Sequence, residues 1–162
     1  MILYVDTSAL VKRYVNEPGA DLVTQAIAAS AVVGTSIICR AEMAAALSKA
    51  ARMTVLSPAD AASALQAFRS DWPHLVRVQA SESMISQADV LAWELGLRGY
   101  DAVHLASALV WRNAMGADVT FATFDRRLWA SARQKGLACL PDDLPALLDT
   151  WQARKIDRGF GG

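Results

Sequence analysis

The sequence predicts an α/β fold, a three-layer α/β/α sandwich built on a five-stranded parallel sheet. Short apolar runs of strand length alternate along the chain with longer segments of helical periodicity. Runs such as ILYV and LACL are apolar throughout rather than at every second residue, as expected of strands covered on both faces. No internal repeat or Pro/Gly/Ser-rich linker interrupts the alternation, so the 162 residues read as one domain with room for a sizeable core.

ILYV is the first strand, and SALVKRYV then has helical spacing, with Leu10, Val11, Tyr14 and Val15 on one side and Lys12 and Arg13 on the other. NEPGAD is a break, after which ADLVTQAIAAS is helical. AVVGTS is the second strand, and Thr35 or Ser36 stands where it would cap the alanine-rich helix IICRAEMAAALSKAARM. LSPADAASALQAFRSDW is a helix with Ser57 as N-cap and Pro58 at its first position. HLVRV is the third strand. SESMISQADVLAWELGL is a helix ended by Gly96 or Gly99, and YDAVHLASALVWRNAMG is a helix closed by Gly116. DVTFAT is the fourth strand, DRRLWASARQKG a helix stopped by Gly136, and LACL the fifth strand. DDLPALLDTWQA makes the last helix, so the domain spans 1–153 and the polar, glycine-rich stretch 154–162 reads as a flexible tail.

A hydrophobic fraction of 54% excludes a disordered chain. Lys plus Arg and Asp plus Glu both count 16, so nucleic-acid binding would need a local basic patch rather than net charge. Cys39 and Cys139 sit in apolar surroundings with no partner at zinc spacing, and read as buried free thiols. Asp6 cuts the N-terminal apolar run too early for a signal peptide, and no apolar stretch reaches the ~18 residues of a membrane span. The expectation is a soluble, cytoplasmic protein.

In open parallel sheets ligands bind outside the carboxyl ends of the strands, so acids just after strands are the candidates for chemistry. Asp6 follows the first strand and Asp125 the fourth. Glu42 lies early in the helix after the second strand, and Asp101 opens the helix after Gly99. Asp6, Asp101 and Asp125 each also read as helix N-caps. Glu42 lies too far beyond Ser36 for a capping box, and no His or Arg stands at helical spacing to pair it, although Lys49 lies two turns on. Four such acids at one sheet end repel each other. Oxygen ligands without cysteine point to a hard cation, Mg2+ or Mn2+.

These motifs carry a family likeness. VDTSALVK, RAEMAAAL, YDAVHLASAL and ATFDRRL, in this order, resemble the PIN-domain nucleases and, within them, the VapC-type toxins of type II toxin–antitoxin systems. The resemblance implies a PIN-like five-stranded parallel sheet with one acidic cleft. It implies catalytic Asp6, Glu42, Asp101 and Asp125, with Asp6 and Asp101 matching the metal ligands and Thr7, Ser8 and Thr123 supporting them. It further implies Mg2+-dependent (or Mn2+-dependent) endoribonuclease action through a metal-activated water, a cognate VapB-type antitoxin, and a homodimer. Lys12, Arg13, Lys49, Arg126 and Arg127 flank the acidic motifs and are the candidate RNA contacts. Leu10, Val11, Tyr14, Met43 and Leu47 are expected to offer the antitoxin an apolar surface. His104 reads as a packed, hydrogen-bonded histidine, and the tryptophans as core or interface. The rival readings are a catalytically silent PIN-like binding protein, a DNA-directed nuclease, and a phospho-receiver domain. The last lacks its acidic pair at Asp6 and its Lys after the final strand.

Overall fold

Ile2–Val5 (β1) forms the middle of a five-stranded sheet of order β3-β2-β1-β4-β5, completed by Val32–Ser36 (β2), Val76–Val78 (β3), Val119–Ala122 (β4) and Ala138–Leu140 (β5). The computed structural model describes the backbone of residues 1–159 and the side chains of residues 1–154. Every pairing is parallel, with Ile2 opposite Val32 on one side and Val5 opposite Ala122 on the other. Successive β1 side chains point to opposite faces. Leu3 and Val5 join one core with Leu10, Met43, Leu47 and Phe68, while Tyr4 joins a second with Leu105, Trp111 and Phe121. Two apolar faces explain the unbroken apolar run of β1, whereas β3 at the sheet edge is largely exposed.

The first core is roofed by Thr7–Leu10 (α1) with a 3-10 turn at Val11–Arg13, by Ala20–Ala29 (α2), Cys39–Arg52 (α3) and Pro58–Asp71 (α4). Glu82–Leu95 (α5), Gly99–Met115 (α6) and Arg126–Gln134 (α7) cover the second. Gly96 in the left-handed region (φ 59°) ends α5, and Gly116 (φ 60°) ends α6. Gly34 in β2 serves close approach instead, because a Cβ there would lie 2.7 Å from the Trp111 ring.

Several local expectations are corrected. Neither Thr35 nor Ser36 caps α3, whose N-cap is Ile38 without a side-chain bond. Thr35 is buried and donates to the Val5 carbonyl (2.7 Å), and Ser36 is buried with its hydroxyl unpartnered among the described residues. SALVKRYV winds as α1 only to Leu10 before tightening. The last helix, Leu144–Gly159 (α8), continues through positions 154–159, which the sequence reading gave to the tail; 160–162 lie outside the described residues. Leu10, Met43 and Leu47 are at most 2% exposed, so they are core and not a docking surface; Val11 and Tyr14 remain partly exposed.

The order of the strands positions the site. From β1 the chain winds outward through β2 and β3, then returns to the other side of β1 for β4. The crevice outside the carboxyl ends of β1 and β4 is therefore the topological switch point, where open α/β sheets bind ligands. Asp6 and Asp125 follow those two strands.

Candidate active site

Asp6 is 4% exposed and satisfies both of its roles as an acceptor locally. As the N-cap of α1 it takes the Ala9 N–H (2.8 Å), and it also accepts the hydroxyls of Ser8 (2.8 and 2.9 Å) and Thr123 (2.7 Å). Burial pushes its carboxyl above the usual range; the charge of His104 and these hydrogen bonds offset that only in part. Ser8 Oγ in turn accepts the Phe124 N–H (2.9 Å), and Thr123 Oγ1 accepts the Asp125 N–H (3.2 Å). Two hydroxyls thus lace the end of β1 to the end of β4.

Asp125 divides its oxygens. Oδ1 caps α7 by accepting the N–H groups of Arg127 and Leu128 (both 2.9 Å), and Oδ2 faces the Arg98 guanidinium (3.1 Å). Arg98 also donates from Nε to Asp101 Oδ2 (2.7 Å). Asp101 is no cap: the N-cap of α6 is Arg98, and Asp101 stands in the first turn, bonded only to that arginine among the described residues.

Glu42, in the first turn of α3, meets the partner that helical spacing could not supply. His104 Nε2 lies 2.6 Å from Oε2, the same oxygen that accepts the Thr7 hydroxyl at 2.7 Å. His104 is 2% exposed, and its Nδ1 pairs with the Tyr4 hydroxyl (2.9 Å). Burial would raise the Glu42 carboxyl, but the His104 hydrogen bond and charge, with Thr7 and Arg98, outweigh it and hold the group below its ordinary value. The four acids are therefore joined at one sheet end: Asp6 to Asp125 through Thr123, Asp125 to Asp101 through Arg98, and Glu42 to the β1 end through Thr7.

Arg98 and His104 are the groups that the sequence reading left out of the site. Arg98 had a signal, since a cation three residues before an acid on a helix pairs with it. His104 had only its place one turn beyond Asp101. Both cysteines are free and buried, with burial raising the thiols to about 12 for Cys39 and about 11 for Cys139.

The expected RNA contacts scatter. Lys12 is 8% exposed and committed to Glu17 and the Pro18 carbonyl (2.9 Å each), with its ammonium 4.4 Å from the Phe124 ring centroid. Arg126 pairs with Asp149 of α8. Arg13 lines a groove of about 440 Å³ with Leu10, Tyr14, Asp71 and His74. Lys49 is exposed on α3, and Arg127 is exposed with its guanidinium against Gly96, where a Cβ would collide with it.

Among the described residues no three His, Cys, Asp or Glu side chains form a ready-made metal cage. The donor set nevertheless suits a hard divalent cation, because all four acids offer oxygen and a guanidinium already bridges two of them.

Residues 3–134 match the PIN domain family. The chain is 33% identical over 144 residues to Ribonuclease VapC45 of Mycobacterium tuberculosis (strain CDC 1551 / Oshkosh), covering 88% of this chain and 97% of that protein. Its fold resembles that of PAE2754 from Pyrobaculum aerophilum (TM-score 0.61, 22% identity, covering 92% of this chain and 96% of the other). It also resembles VapBC2 from Rickettsia felis, solved bound to a DNA fragment from their promoter (TM-score 0.58, 20% identity, 86% and 97% covered). With the acids gathered at the switch point and the match running over most of its length, the chain belongs to the PIN-domain family, in its VapC-type branch.

Proposed function

We propose that this protein is the toxin of a toxin–antitoxin pair, a cytoplasmic endoribonuclease that hydrolyses RNA phosphodiester bonds with Mg2+ or Mn2+. The observation that carries this reading is the placement of four acids at one sheet end, with Asp6, Asp125 and Asp101 linked through Thr123 and Arg98 and Glu42 held by the Thr7 hydroxyl next along the chain from Asp6. Asp6 and Asp101 are the residues that would hold the ion, with Glu42 and Asp125 completing the acidic site. When bound, the ion would make a water more acidic and offset charge on the phosphate.

The chain's own residues do the rest. Ser8 and Thr123 fix both Asp6 oxygens, so the carboxylate cannot turn away from the crevice. His104 and Thr7 hold Glu42 ionised, which keeps its negative charge available to a cation. Ionised acids alone would repel RNA, so the substrate's phosphates need cations at the rim; Arg98, which bridges Asp101 and Asp125, is exposed there, and Arg127 is exposed at the start of α7 just after Asp125. RNA is favoured over DNA because the curated relatives are named ribonucleases.

The solved VapBC complex supports a VapB-type antitoxin as partner, and the homodimer that the resemblance implies is part of the same proposal. A groove of about 450 Å³ between the early helices and α4, lined by Tyr14, Val15, Leu56, Ala64 and Ala67 together with Asn16, Asp60 and Ser63, replaces the buried Leu10, Met43 and Leu47 as the surface for it. Among the described residues no helix is long and apolar enough to cross a membrane. The test is cleavage of matched RNA and DNA oligonucleotides with Mg2+, with Mn2+ and with EDTA. RNA cleavage that EDTA stops is expected. Cleavage of DNA alone would make this a DNA nuclease, and no cleavage of either would leave a silent binding protein.

A further inference from the structure

We propose that Arg98 is a built-in counter-ion of the acidic site, holding Asp101 and Asp125 together when the divalent ion is absent and passing to the RNA phosphate when the ion arrives. The inference rests on the metal-dependent nuclease reading above and adds a residue to it.

The placement is specific. One guanidinium spans two acids from different elements, Asp101 on α6 and Asp125 at the start of α7, through separate nitrogens at 2.7 and 3.1 Å. It takes from each acid the oxygen that no other group uses: Asp101 has no second partner among the described residues, and Asp125 keeps Oδ1 for capping while offering Oδ2. Its charge is also felt by Glu42. A cation paired with two acids at once does part of the electrostatic work a divalent ion would do, and the two compete for the same oxygens.

The pairing is built to be released. The Arg98 side chain is 76% exposed, whereas its partners are 19% and 29% exposed. Exposed ion pairs are weak and salt-sensitive, so little opposes exchange. Arg98 sits at the N-cap of α6 in extended conformation, outside the regular helix, and makes no cap bond with its side chain. A freed guanidinium at the crevice mouth has the forked geometry that phosphate oxygens accept.

The experiment compares wild type with Arg98→Gln and Arg98→Lys. Mn2+ binding is read by calorimetry without RNA, and RNA cleavage is read as KM, kcat and the salt dependence of KM. Arg98→Gln is expected to bind Mn2+ about 5-fold more tightly, the equivalent of one lost competing surface pair. Its KM for RNA is expected to rise more than its kcat falls, with a salt slope shallower by about 0.7, the signature of one missing phosphate contact on a single strand. Arg98→Lys should fall between the two. Unchanged or weaker Mn2+ binding in Arg98→Gln, in a wild type that binds Mn2+ and cuts RNA, overturns the counter-ion role and leaves the nuclease reading intact. An unchanged salt slope overturns the transfer to phosphate. A wild type that neither binds Mn2+ nor cuts RNA overturns both readings together.

Discussion

Replacing Asp6 by Asn separates its two duties, helix cap and acid, without changing its shape. The cap should survive, because Asn Oδ1 accepts the Ala9 N–H as Asp does and Asn caps about as well as Asp. At the other oxygen the hydrogen bonds reverse. An Nδ2–H would donate to the Ser8 and Thr123 hydroxyls, each of which already accepts one backbone N–H and keeps a second lone pair. Exchanging charged for neutral hydrogen bonds costs on the order of 1 kcal/mol each. Burial works in the opposite direction, since the carboxyl is raised despite all its donors. An acid with a raised folded pKa gives its full stabilisation below the unfolded value, and loses it as pH rises through the folded value. In EDTA at neutral pH the variant should therefore lie within about 1 kcal/mol of wild type or be more stable, a shift of roughly 2–4 °C per kcal/mol for a chain this size. Wild type should also lose stability as pH rises from the unfolded carboxylate pKa through the raised folded one, a loss that the variant should lack. With Mg2+ at ten times its Kd, wild type should gain about 1.4 kcal/mol by mass action and the variant less. The assays are thermal unfolding with EDTA and with Mg2+ across pH, alongside RNA cleavage. A variant that cuts RNA at the wild-type rate would return Asp6 to an ordinary helix start, and a loss above about 3 kcal/mol in EDTA would refute the burial argument.

Other perturbations test the surrounding network. His104→Ala strips the partner from the buried Tyr4 hydroxyl and the charge from Glu42, and should cost about 2–4 kcal/mol in urea unfolding; a loss under about 1 kcal/mol would mean that neither group depends on it. Gly34→Ala drives a methyl group into the Trp111 ring and should cost about 1–3 kcal/mol, with a changed near-ultraviolet tryptophan signal. An unchanged denaturation midpoint would show that the ring yields freely. Glu42 sits below its ordinary pKa of 4.5, so its contribution is present above that value and lost as pH falls through the depressed one. In EDTA, Glu42→Gln should flatten the acid limb of the stability profile below pH 4.5, and a limb as steep as wild type would place the acid sensitivity elsewhere.

Much of the frame was legible because its signals are local. Unbroken apolar runs located the strands, Ser57 with Pro58 located the start of α4, and Gly96 and Gly116 located two helix ends. What stayed illegible depends on contacts between distant segments. Glu42 finds its charge partner 62 residues away, and Arg98 reaches Asp125 across 27. Spacing along a single helix cannot show such pairs. Lys12 misled for the same reason: a lysine on the polar side of a short helix reads as solvated, yet Glu17, Pro18 and Phe124 fold over it. Leu10, Met43 and Leu47 misled in the opposite sense, because periodicity marks an apolar face without saying whether the chain itself covers it.

The competing readings of the acids also prove compatible, and topology explains why. A strand that leads straight into a helix at the switch point needs a residue that accepts the first free N–H groups of that helix, and a carboxylate does this well. The same turn faces the crevice, so a carboxylate placed there for capping is already at the ligand's position. Asp125 shows the consequence atom by atom, with Oδ1 bound to the backbone of α7 and Oδ2 turned to Arg98. Asp6 goes further: its oxygens hold α1 and the end of β4 together, and no water-facing oxygen is spare. Recruiting Asp6 to a cation must therefore loosen one of the Ser8 or Thr123 hydroxyls, whereas Asp101 and Asp125 need only release an exposed arginine. Loading is thus expected to begin at the Asp101–Asp125 side, where the structure gives least resistance.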